Sequence, residues 1–432
     1  MRSCGFCAAT VVLICLVPAD VARAQGTYLS TGGPVNQAMG GASTAAPLDA
    51  IGATYWNPAT ISDLRSELAV GLGLLLVTDL ETSSSVPGLG SGSTAAEPGT
   101  TALPTVGWVH HLEQSPITIG LGIHAVAGFK TNYPSSATNP FFAPQSNAPG
   151  VPGGFGRIMT QASFLQLAPM LSFALSDKLS VGLGPTLTLG ELTIDPLVFA
   201  APDDADGSLA PRYPSGRGTR SHWGGGAQLG VYYITDPCWR FGMSIKSPQW
   251  MEDFRYHTEN ELGLPRVVKV KLDLPMIISF GTSYSGYENL ILAVDVRYFD
   301  YKNTDFWGPH GFNADGSLAG LGMSSVASVA TGAQLRLSDS LYMRLGYTFN
   351  QSPFQSAEVT NAVAAPLYYQ HQIHIGASQR LSDAVAINIA YSHSPKAKLS
   401  GPLVNPAGTV GGSNVTTTEA VHYLNLGVSV KY

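Results

Sequence analysis

The chain has 432 residues, of which 12% are charged and 48 are glycine, and its formal net charge is −6. The charged share is about half of the ~25% that soluble globular domains carry, which disfavours a set of soluble domains. The apolar share of 44% is too high for intrinsic disorder, and the acidic balance gives no reason to expect nucleic-acid binding.

The first 24 residues have the composition of a secretory signal peptide. Arg2 precedes an apolar run from Phe6 to Val17, and Ala22-Arg23-Ala24 supplies the small residues of a cleavage site. The run is too short to span a bilayer as a helix. We therefore expect an exported protein whose mature chain begins at Gln25. Cleavage would leave Cys238 as the single cysteine, which excludes an intrachain disulfide and a cysteine-rich zinc site.

Residues 25–65 show no alternation of apolar and polar side chains. The segment combines small residues with scattered aromatics, and Asp49 is the one formal side-chain charge between Gln25 and Ile61. Such a composition suits a compact coil packed in a confined space. The alternative, a disordered N-terminal tail, would ordinarily carry more charge.

The rest of the chain alternates between apolar and small or polar residues, which is the period of a β-strand. In residues 424–432, for example, every second side chain is apolar or aromatic. The longest apolar run after the signal peptide, residues 68–77, is half of a helical span. Lipid cannot satisfy unpaired backbone groups, so such a chain is expected to cross a membrane as a closed β-barrel. A soluble β-sandwich would show similar alternation, but the signal peptide and the low charge favour the barrel.

Counting strands back from the C-terminus predicts fourteen, an even number, as bacterial single-chain barrels require. The expected spans are 66–80, 101–112, 116–129, 158–175, 179–195, 219–235, 239–257, 266–285, 290–302, 323–337, 341–351, 367–381, 384–394 and 419–432. Leu-Ser-Asp occurs between such runs at residues 175–177, 337–339 and 381–383, where Ser and Asp can close short turns. Long polar segments separate the other pairs. The pattern predicts an all-β, antiparallel, fourteen-stranded transmembrane barrel over residues 66–432, with both chain ends in the periplasm.

The order of several motifs resembles the FadL/TodX family of outer-membrane transporters. The residues that carry the resemblance are Gly40-Gly41-Ala42, Asp49-Ala50, Asn57-Pro58-Ala59, Gly128-Phe129 and Leu274-Pro275 followed by Ile-Ile-Ser-Phe-Gly281. The resemblance implies a barrel whose lumen is filled by an N-terminal hatch, residues 25–65. It also implies passive uptake of hydrophobic compounds, such as long-chain fatty acids or aromatic hydrocarbons. Cargo would leave sideways into the bilayer where a kink opens the third strand.

The resemblance assigns roles to individual residues. The hatch motif and its gating residues would be Gly40, Gly41, Asn57, Pro58 and Ala59. The tail of the hatch would place Tyr28 and Leu29 against cargo in an inner pocket. No sharp motif marks the kink, but Gly120, Gly122 and Gly128 are candidates because glycine tolerates irregular backbone in strands.

Two further sets of residues are candidates for binding cargo. The loop after the third strand carries Phe141, Phe142 and Phe155, whose rings could capture an apolar solute or pack against one another. Arg336 and Arg344 lie on adjacent predicted strands in the polar phase and could hold a carboxylate head group. The alternative for the two arginines is an internal ion pair with an Asp or Glu of the hatch or the wall.

Signals for an enzyme are poor. The sequence has no Gly-x-Ser-x-Gly elbow, and its Gly-Leu-Gly triplets lack the third glycine of a dinucleotide loop, so no catalytic residue, cofactor or metal is expected. We expect a monomer in the outer membrane of a Gram-negative bacterium, surrounded by outer-membrane lipid and carrying a hydrophobic small molecule. The barrel-assembly machinery would recognise the C-terminal strand, which ends in Tyr432. A general diffusion porin and a structural outer-membrane barrel are the alternatives.

Overall fold

The structure is a computed structural model that describes residues 26–146, 153–218, 221–235 and 238–432. The expected signal peptide, residues 1–24, and the expected first mature residue, Gln25, lie outside the described residues. Among the residues described, no helix is both long and apolar enough to cross a membrane.

Fourteen antiparallel strands form one ring, which confirms the predicted fold class. In chain order they are β1 (Glu67–Val86), β2 (Thr100–His111), β3 (Ile117–Tyr133), β4 (Ile158–Ala174), β5 (Leu179–Asp195), β6 (Ser221–Ile234), β7 (Trp239–Lys246), β8 (Ile277–Tyr287), β9 (Leu290–Phe299), β10 (Val326–Arg336), β11 (Leu341–Asn350), β12 (His371–Arg380), β13 (Val385–Gly401) and β14 (Asn414–Lys431). Consecutive strands pair, and β1 also pairs with β14 from Glu67↔Lys431 to Ser85↔Asn414, which closes the ring. Closure satisfies the backbone groups that lipid cannot.

Side chains of the wall alternate as the sequence indicates. In β14, Leu424, Leu426 and Val428 point outward, and half of the Leu426 surface (50%) is exposed. The intervening Tyr423 and Asn425 are buried in the lumen. Large apolar side chains therefore face the lipid, whereas small or polar side chains face the interior.

Each Leu-Ser-Asp motif closes a short turn between two wall strands. The Ser176 hydroxyl accepts hydrogen bonds from the backbone N–H groups of Lys178 and Leu179 at 3.3 and 3.2 Å. Ser338 and Ser382 accept the same pair of bonds in their own turns. The serine replaces a backbone acceptor, which explains why one tripeptide recurs at three hairpins.

The largest departure from the predicted spans lies between β7 and β8. The expected strand 239–257 pairs regularly in the wall only to Lys246, and Trp250–Met251 then pair again with β6 at Gly224 and Gly225. Phe254–Glu259 pairs with Pro265–Val270 as a hairpin among the outer loops, so the expected strand 266–285 enters the wall only at Ile277. Pro248 cannot donate a ladder hydrogen bond and interrupts the strand. Alternation continues through the hairpin, so periodicity alone assigned these residues to the wall.

The chain before β1 fills the lumen. It forms α1 (Gly33–Ala38), α2 (Ala50–Trp56) and a 3-10 helix (Pro58–Asp63). Its backbone lies directly on the wall, because a Cβ at Gly182 would lie 2.3 Å from the carbonyl carbon of Pro58, and one at Gly346 would lie 2.1 Å from the nitrogen of Gly40. No side chain fits at these two wall positions, so glycine is required there.

The loops at the opposite end from the short turns carry the remaining elements. These are α3 (Val359–Ala364), 3-10 turns at Pro140–Phe142 and Ser356–Glu358, and short strands at Gly90–Ala95, Trp250–Met251, Val404–Asn405 and Gly408–Thr409. The loops fold over the barrel mouth and bury aromatic side chains from several segments in one apolar cluster with the hatch.

Candidate functional site

Asn57, Pro58 and Ala59 fasten the hatch to the wall. The Asn57 side-chain oxygen accepts a hydrogen bond from the Ala59 N–H at 3.0 Å and caps the 3-10 helix that begins at Pro58. Its Nδ2 group donates to the carbonyl of Thr44 at 2.8 Å and to that of Val231 in β6 at 3.1 Å. One side chain therefore joins two parts of the hatch to the barrel.

Gly40 and Gly41 form a turn after α1 in the left-handed region, with φ of +64° and +87°. The wall holds both carbonyls: Thr348 Oγ1 donates to Gly40 O at 2.7 Å, and Arg297 Nη2 donates to Gly41 O at 2.6 Å. A side chain at either position would meet neighbouring backbone and a strained conformation.

A buried ion pair, which we call the clamp, holds the hatch beside this turn. Asp295 Oδ2 lies 2.5 Å from Arg297 Nη2 and accepts hydrogen bonds from the N–H groups of Ser43 and Thr44 at 2.8 and 2.9 Å. The Arg297 guanidinium also stacks over the Trp56 ring, 3.5 Å from its centroid. Neither side chain of the ion pair is exposed. The clamp therefore connects β9 to two separate segments of the hatch.

The N-terminal tail of the hatch pairs with β3. The Leu29 N–H donates to Val126 O at 2.8 Å, and the Gly128 N–H donates to Thr27 O at 3.1 Å. Tyr28 lies between them with a buried ring, and burial raises the pKa of its phenol above the usual range. The tail thus acts as a short additional strand on the edge of β3.

Strand β3 changes register at Val126. Ala125 pairs with Leu165 of β4 and Ala127 pairs with Phe164, so Val126 is an extra residue, a β-bulge. Before the bulge the even-numbered residues of β3 face the interior, and beyond it the odd-numbered residues do. A bulge re-aims the side chains that follow it and ends regular pairing on one side.

Beyond the bulge, β3 has no partner in β2. The two strands pair up to His124, whereas β4 is the one wall strand that pairs with residues 125–133. On the free side, the hatch tail bonds to Val126 and Gly128, and the Asn132 carbonyl accepts a hydrogen bond from the Glu97 N–H at 2.9 Å. Gly120 and Gly122 lie inside the regularly paired part, and Gly128 lies two residues after the bulge. The wall is therefore interrupted between β2 and β3 in the half nearer the long loops, and the tail of the hatch covers part of the open edge.

A cavity of about 290 Å³, which we call the lateral cavity, lies at this gap. Its lining is mainly apolar and comes from the tail, the flanking strands and the segment before β12, with Leu29, Leu75, Leu103, Phe129 and Leu367 among the apolar residues. The charged side chains of its lining are Lys130 and the buried Glu419. The cavity therefore lies at an interruption of the barrel wall.

A second cavity, the inner pocket, lies beneath the long loops and measures about 50 Å³. Its lining includes Phe129, Phe141, Phe155, Phe199, Phe306 and Leu318, and no lining residue is charged. It is larger than a single water site but smaller than the ~150 Å³ of a cavity that holds benzene. A cargo molecule must therefore widen it by moving side chains.

An open cleft among the loops, the outer cleft, measures about 390 Å³ and adjoins the inner pocket. Phe141 and Phe155 line both spaces. Phe142 lines neither; its ring is fully buried and stacks 4.7 Å from the ring of Tyr133. The three phenylalanines of this loop therefore divide into two that face the cavities and one that packs the loop.

The structure does not bring the two candidate arginines into either apolar cavity. Arg344 is buried and donates to Gln334 Oε1 at 2.7 Å and to Ser378 Oγ at 2.6 Å. Arg336 lies at the turn after β10, where it pairs with Asp339 and 44% of its side chain is exposed. Both arginines lie in the inward-facing register of adjacent strands, as expected. Each guanidinium has its own partners, however, and the two form no common carboxylate site.

Arg344 instead lines a polar cavity of about 200 Å³ at the end of the barrel with the short turns. Asp49 and Glu67 line the same cavity. Asp49 caps α2 by accepting a hydrogen bond from the Gly52 N–H at 3.1 Å, and burial raises the pKa of its carboxyl to about 6. This cavity lies on the far side of the hatch from the inner pocket.

Residues 15–432 match the family described as outer membrane protein transport protein (OMPP1/FadL/TodX). The chain belongs to this family. Solved structures with a similar fold include the P. putida toluene transporter TodX (16% identity, TM-score 0.65) and the Ralstonia pickettii toluene transporter TbuX (17%, 0.65). A Pseudomonas aeruginosa FadL homologue is 15% identical with a TM-score of 0.68. Each comparison covers 94% of this chain and 99% of the other. A search of curated proteins found no match.

Membership of the OMPP1/FadL/TodX family confirms three predictions from the sequence. The chain is an outer-membrane protein of a Gram-negative bacterium, it belongs to a family of channels for hydrophobic compounds, and that family is not enzymatic. The similar structures also support the fourteen-stranded barrel with an N-terminal hatch. The alternatives of a general porin and of a purely structural barrel are therefore set aside.

Sequence reasoning missed two parts of the interior of this family member. The bulge at Val126 left no mark because its neighbours Ala125 and Ala127 are also small and apolar. The inner pocket takes Phe199 and Phe306 from two other long loops. Apolar residues inside otherwise polar loops were the available signal, but the sequence does not show which loops meet.

Proposed function

We propose that this protein takes up small hydrophobic compounds by passive diffusion through a plugged barrel with a lateral exit. The observation that carries the proposal is an apolar cavity that lies at a gap in the barrel wall. Transfer of apolar surface out of water is favourable by ~25 cal/mol per Å², so entry into such a cavity requires no coupled energy source.

The cavities support a continuous route from the loops to the gap. Phe141 and Phe155 line both the outer cleft and the inner pocket, and Phe129 lines both the inner pocket and the lateral cavity. Tyr28 and Leu29 lie beside the last step, where the hatch tail runs along β3. Cargo would pass from the cleft to the pocket, then to the lateral cavity, and then into the bilayer.

A route straight down the lumen is disfavoured by the hatch. The clamp and Asn57 fix the hatch to several wall strands, and its aromatic side chains are buried. An apolar solute that crossed the hatch would also have to re-enter water in the periplasm. It would then lose the free energy that it gained on leaving water. Lateral exit avoids this second crossing.

The lining of the inner pocket, through which cargo would pass, favours uncharged cargo. No charged side chain lines the inner pocket, and a carboxylate placed there would lose its hydration without a partner. Two of the similar structures are toluene transporters. We therefore propose an uncharged hydrocarbon of about the size of one aromatic ring, with long-chain fatty acids as the alternative.

Uptake assays in cells that lack their own transporters for these compounds test the proposal. Expression of the full chain should raise the initial uptake of labelled toluene above that of empty-vector cells, and raise uptake of a labelled long-chain fatty acid less. Uptake of a labelled sugar should not change. If neither hydrophobic compound enters faster than in empty-vector cells, the proposed function is wrong; if only the fatty acid does, the cargo assignment is wrong.

We also propose that the protein acts as a monomer and that the assembly machinery reads its last strand. In support of a monomer, the ring of strands closes within one chain through the pairing of β1 with β14. In support of the second part, Tyr432 is exposed, and its hydroxyl accepts a hydrogen bond from Trp108 Nε1 at 2.7 Å. Tyr432→Ala should lower the amount of folded barrel in the outer membrane, whereas Tyr287→Ala, at an exposed ring beside a short turn, should not. Light scattering in detergent should give the mass of one chain.

A further inference from the structure

Phe129 occupies a special position on the proposed route. Among the described residues, it alone lines both the inner pocket and the lateral cavity. It lies three residues after the bulge at Val126, on the face of β3 that points inward after the change of register. The ring therefore stands where the space under the loops would otherwise meet the space at the gap.

One side of the Phe129 ring meets a rigid partner. The ring packs edge-on against Trp307, with centroids 6.1 Å apart and planes at 78°. Trp307 is fully buried, and its Nε1 group donates to the Asp273 carbonyl at 2.6 Å, which fixes the indole. Aromatic pairs in this edge-on geometry are attractive, so the closed position of Phe129 is a defined one.

The other side of Phe129 has room and little restraint. Its strand pairs with β4 alone at this point, and the hydrogen bonds of the hatch tail reach only as far as Gly128. The lateral cavity beside the ring measures about 290 Å³, against about 50 Å³ for the inner pocket. A rotation of the side chain into the larger space would join the two cavities without breaking a hydrogen bond of the wall.

We propose that Phe129 is the residue that sets the size of the cargo that passes from the inner pocket to the gap. The inference rests on the proposed function and adds a specificity-determining residue to it. A single-ring hydrocarbon needs only a small displacement of the phenyl ring. A bulkier hydrocarbon needs the ring to leave Trp307 completely, and its passage is slower.

Substitutions of Phe129 test the inference through a ratio of uptake rates. Cells expressing Phe129→Ala should take up a labelled three-ring hydrocarbon several-fold faster, relative to toluene, than cells expressing the wild-type chain. Phe129→Leu should fall between the two. Phe129→Trp, which places a larger ring between the inner pocket and the lateral cavity, should lower the ratio. The matched control is Phe254→Ala, because Phe254 is a buried member of the same apolar cluster but lines neither cavity.

The possible outcomes separate the inference from the proposed function. A ratio that is unchanged in all three Phe129 variants, with wild-type toluene uptake intact, overturns the role of Phe129 and leaves the proposed function standing. An equal change of ratio in Phe254→Ala also overturns it, because the effect would then be general loosening of the loops. Absence of wild-type uptake would contradict the proposed function, and the inference with it. Electrophoretic heat-modifiability confirms that each variant is a folded barrel.

Discussion

At the scale of single residues, glycines in the wall explain how a chain segment can fill a barrel of this size. The hatch backbone lies against inward-facing glycines, and at Gly346 an added Cβ would lie 2.1 Å from the nitrogen of Gly40. Glycine usually weakens a strand, so its high content in the sequence has a structural reason here. The hatch motif and the wall glycines form complementary surfaces.

Gly346→Ala should therefore destabilise the folded protein by about 1–3 kcal/mol, the usual range for overpacking. Thermal unfolding in detergent would measure the change. Gly225→Ala is the matched control, because its added Cβ would meet only the Thr186 carbonyl oxygen at 3.4 Å, an ordinary contact. Equal melting temperatures for the two variants would show that the hatch does not rest on the wall at Gly346.

The clamp supplies a second prediction at this scale. Asp295→Ala removes the acceptor of two hatch N–H groups and leaves the buried Arg297 without its carboxylate. Breaking a buried pair from one side costs about 3–5 kcal/mol, so the hatch should become sensitive to protease while the barrel stays intact.

Asp339→Ala is the control for the clamp, because it removes an aspartate that pairs with an arginine at the surface. The Asp339 side chain is 97% exposed, so this change should leave the hatch resistant to protease. Equal protease sensitivity of the two variants would contradict a role of the clamp in holding the hatch.

At the scale of elements, strand periodicity predicts the number of wall strands, but neither the hairpin between β7 and β8 nor the interruption in β3. Alternation is set by which face of a strand meets lipid, so fourteen strands could be counted from the sequence. The bulge in β3 shifts that alternation by one residue, but Ala125, Val126 and Ala127 are apolar in either phase. Gly120 and Gly122 are kink candidates because glycine tolerates irregular backbone, but both lie in regularly paired parts of β3.

The candidate cargo residues show the same limit. Phe141 and Phe155 were found because aromatic rings in a polar loop are conspicuous, and both line the inner pocket. The pocket also needs Phe199 and Phe306, which come from other loops and meet only in three dimensions. Arg344 was found by its phase on a strand, but phase does not specify height, and the side chain lies at the other end of the hatch.

Deletion of Val126 tests the role of the bulge as an element. Without the extra residue, the second half of β3 returns to the alternation of its first half and can continue its pairing with β2, which should close the gap. Uptake of toluene should fall to the level of empty-vector cells while the barrel remains folded.

Deletion of Gly286 is the matched control for the bulge, because it removes the extra residue of the irregularity between β8 and β9, and no residue of that irregularity lines the lateral cavity. Wild-type uptake by the Val126 deletion would show that cargo does not leave between β2 and β3. Loss of uptake in both deletions would show that uptake requires irregular strands in general, and would contradict a specific role of the bulge at Val126.

At the scale of the whole molecule, the hatch separates a hydrocarbon route from an aqueous pore. A barrel of this strand number without contents would leave a water-filled channel that conducts ions. Here the lumen holds Tyr55 and Trp56, both buried, and the clamp, whose Arg297 lies against the Trp56 ring. The wall itself is interrupted between β2 and β3, at the side of the barrel and not along its axis.

Purified wild-type protein in a planar bilayer should therefore show no steady ion conductance, although cells that express the same chain take up toluene. Asp295→Ala should produce transient conducting openings, because without the clamp the hatch separates from the barrel wall for part of the time. Asp339→Ala should remain silent. A steady open-channel current from the wild-type protein would mean that water fills the lumen. The hatch would then not close the barrel, and the separate route for hydrophobic cargo would be contradicted.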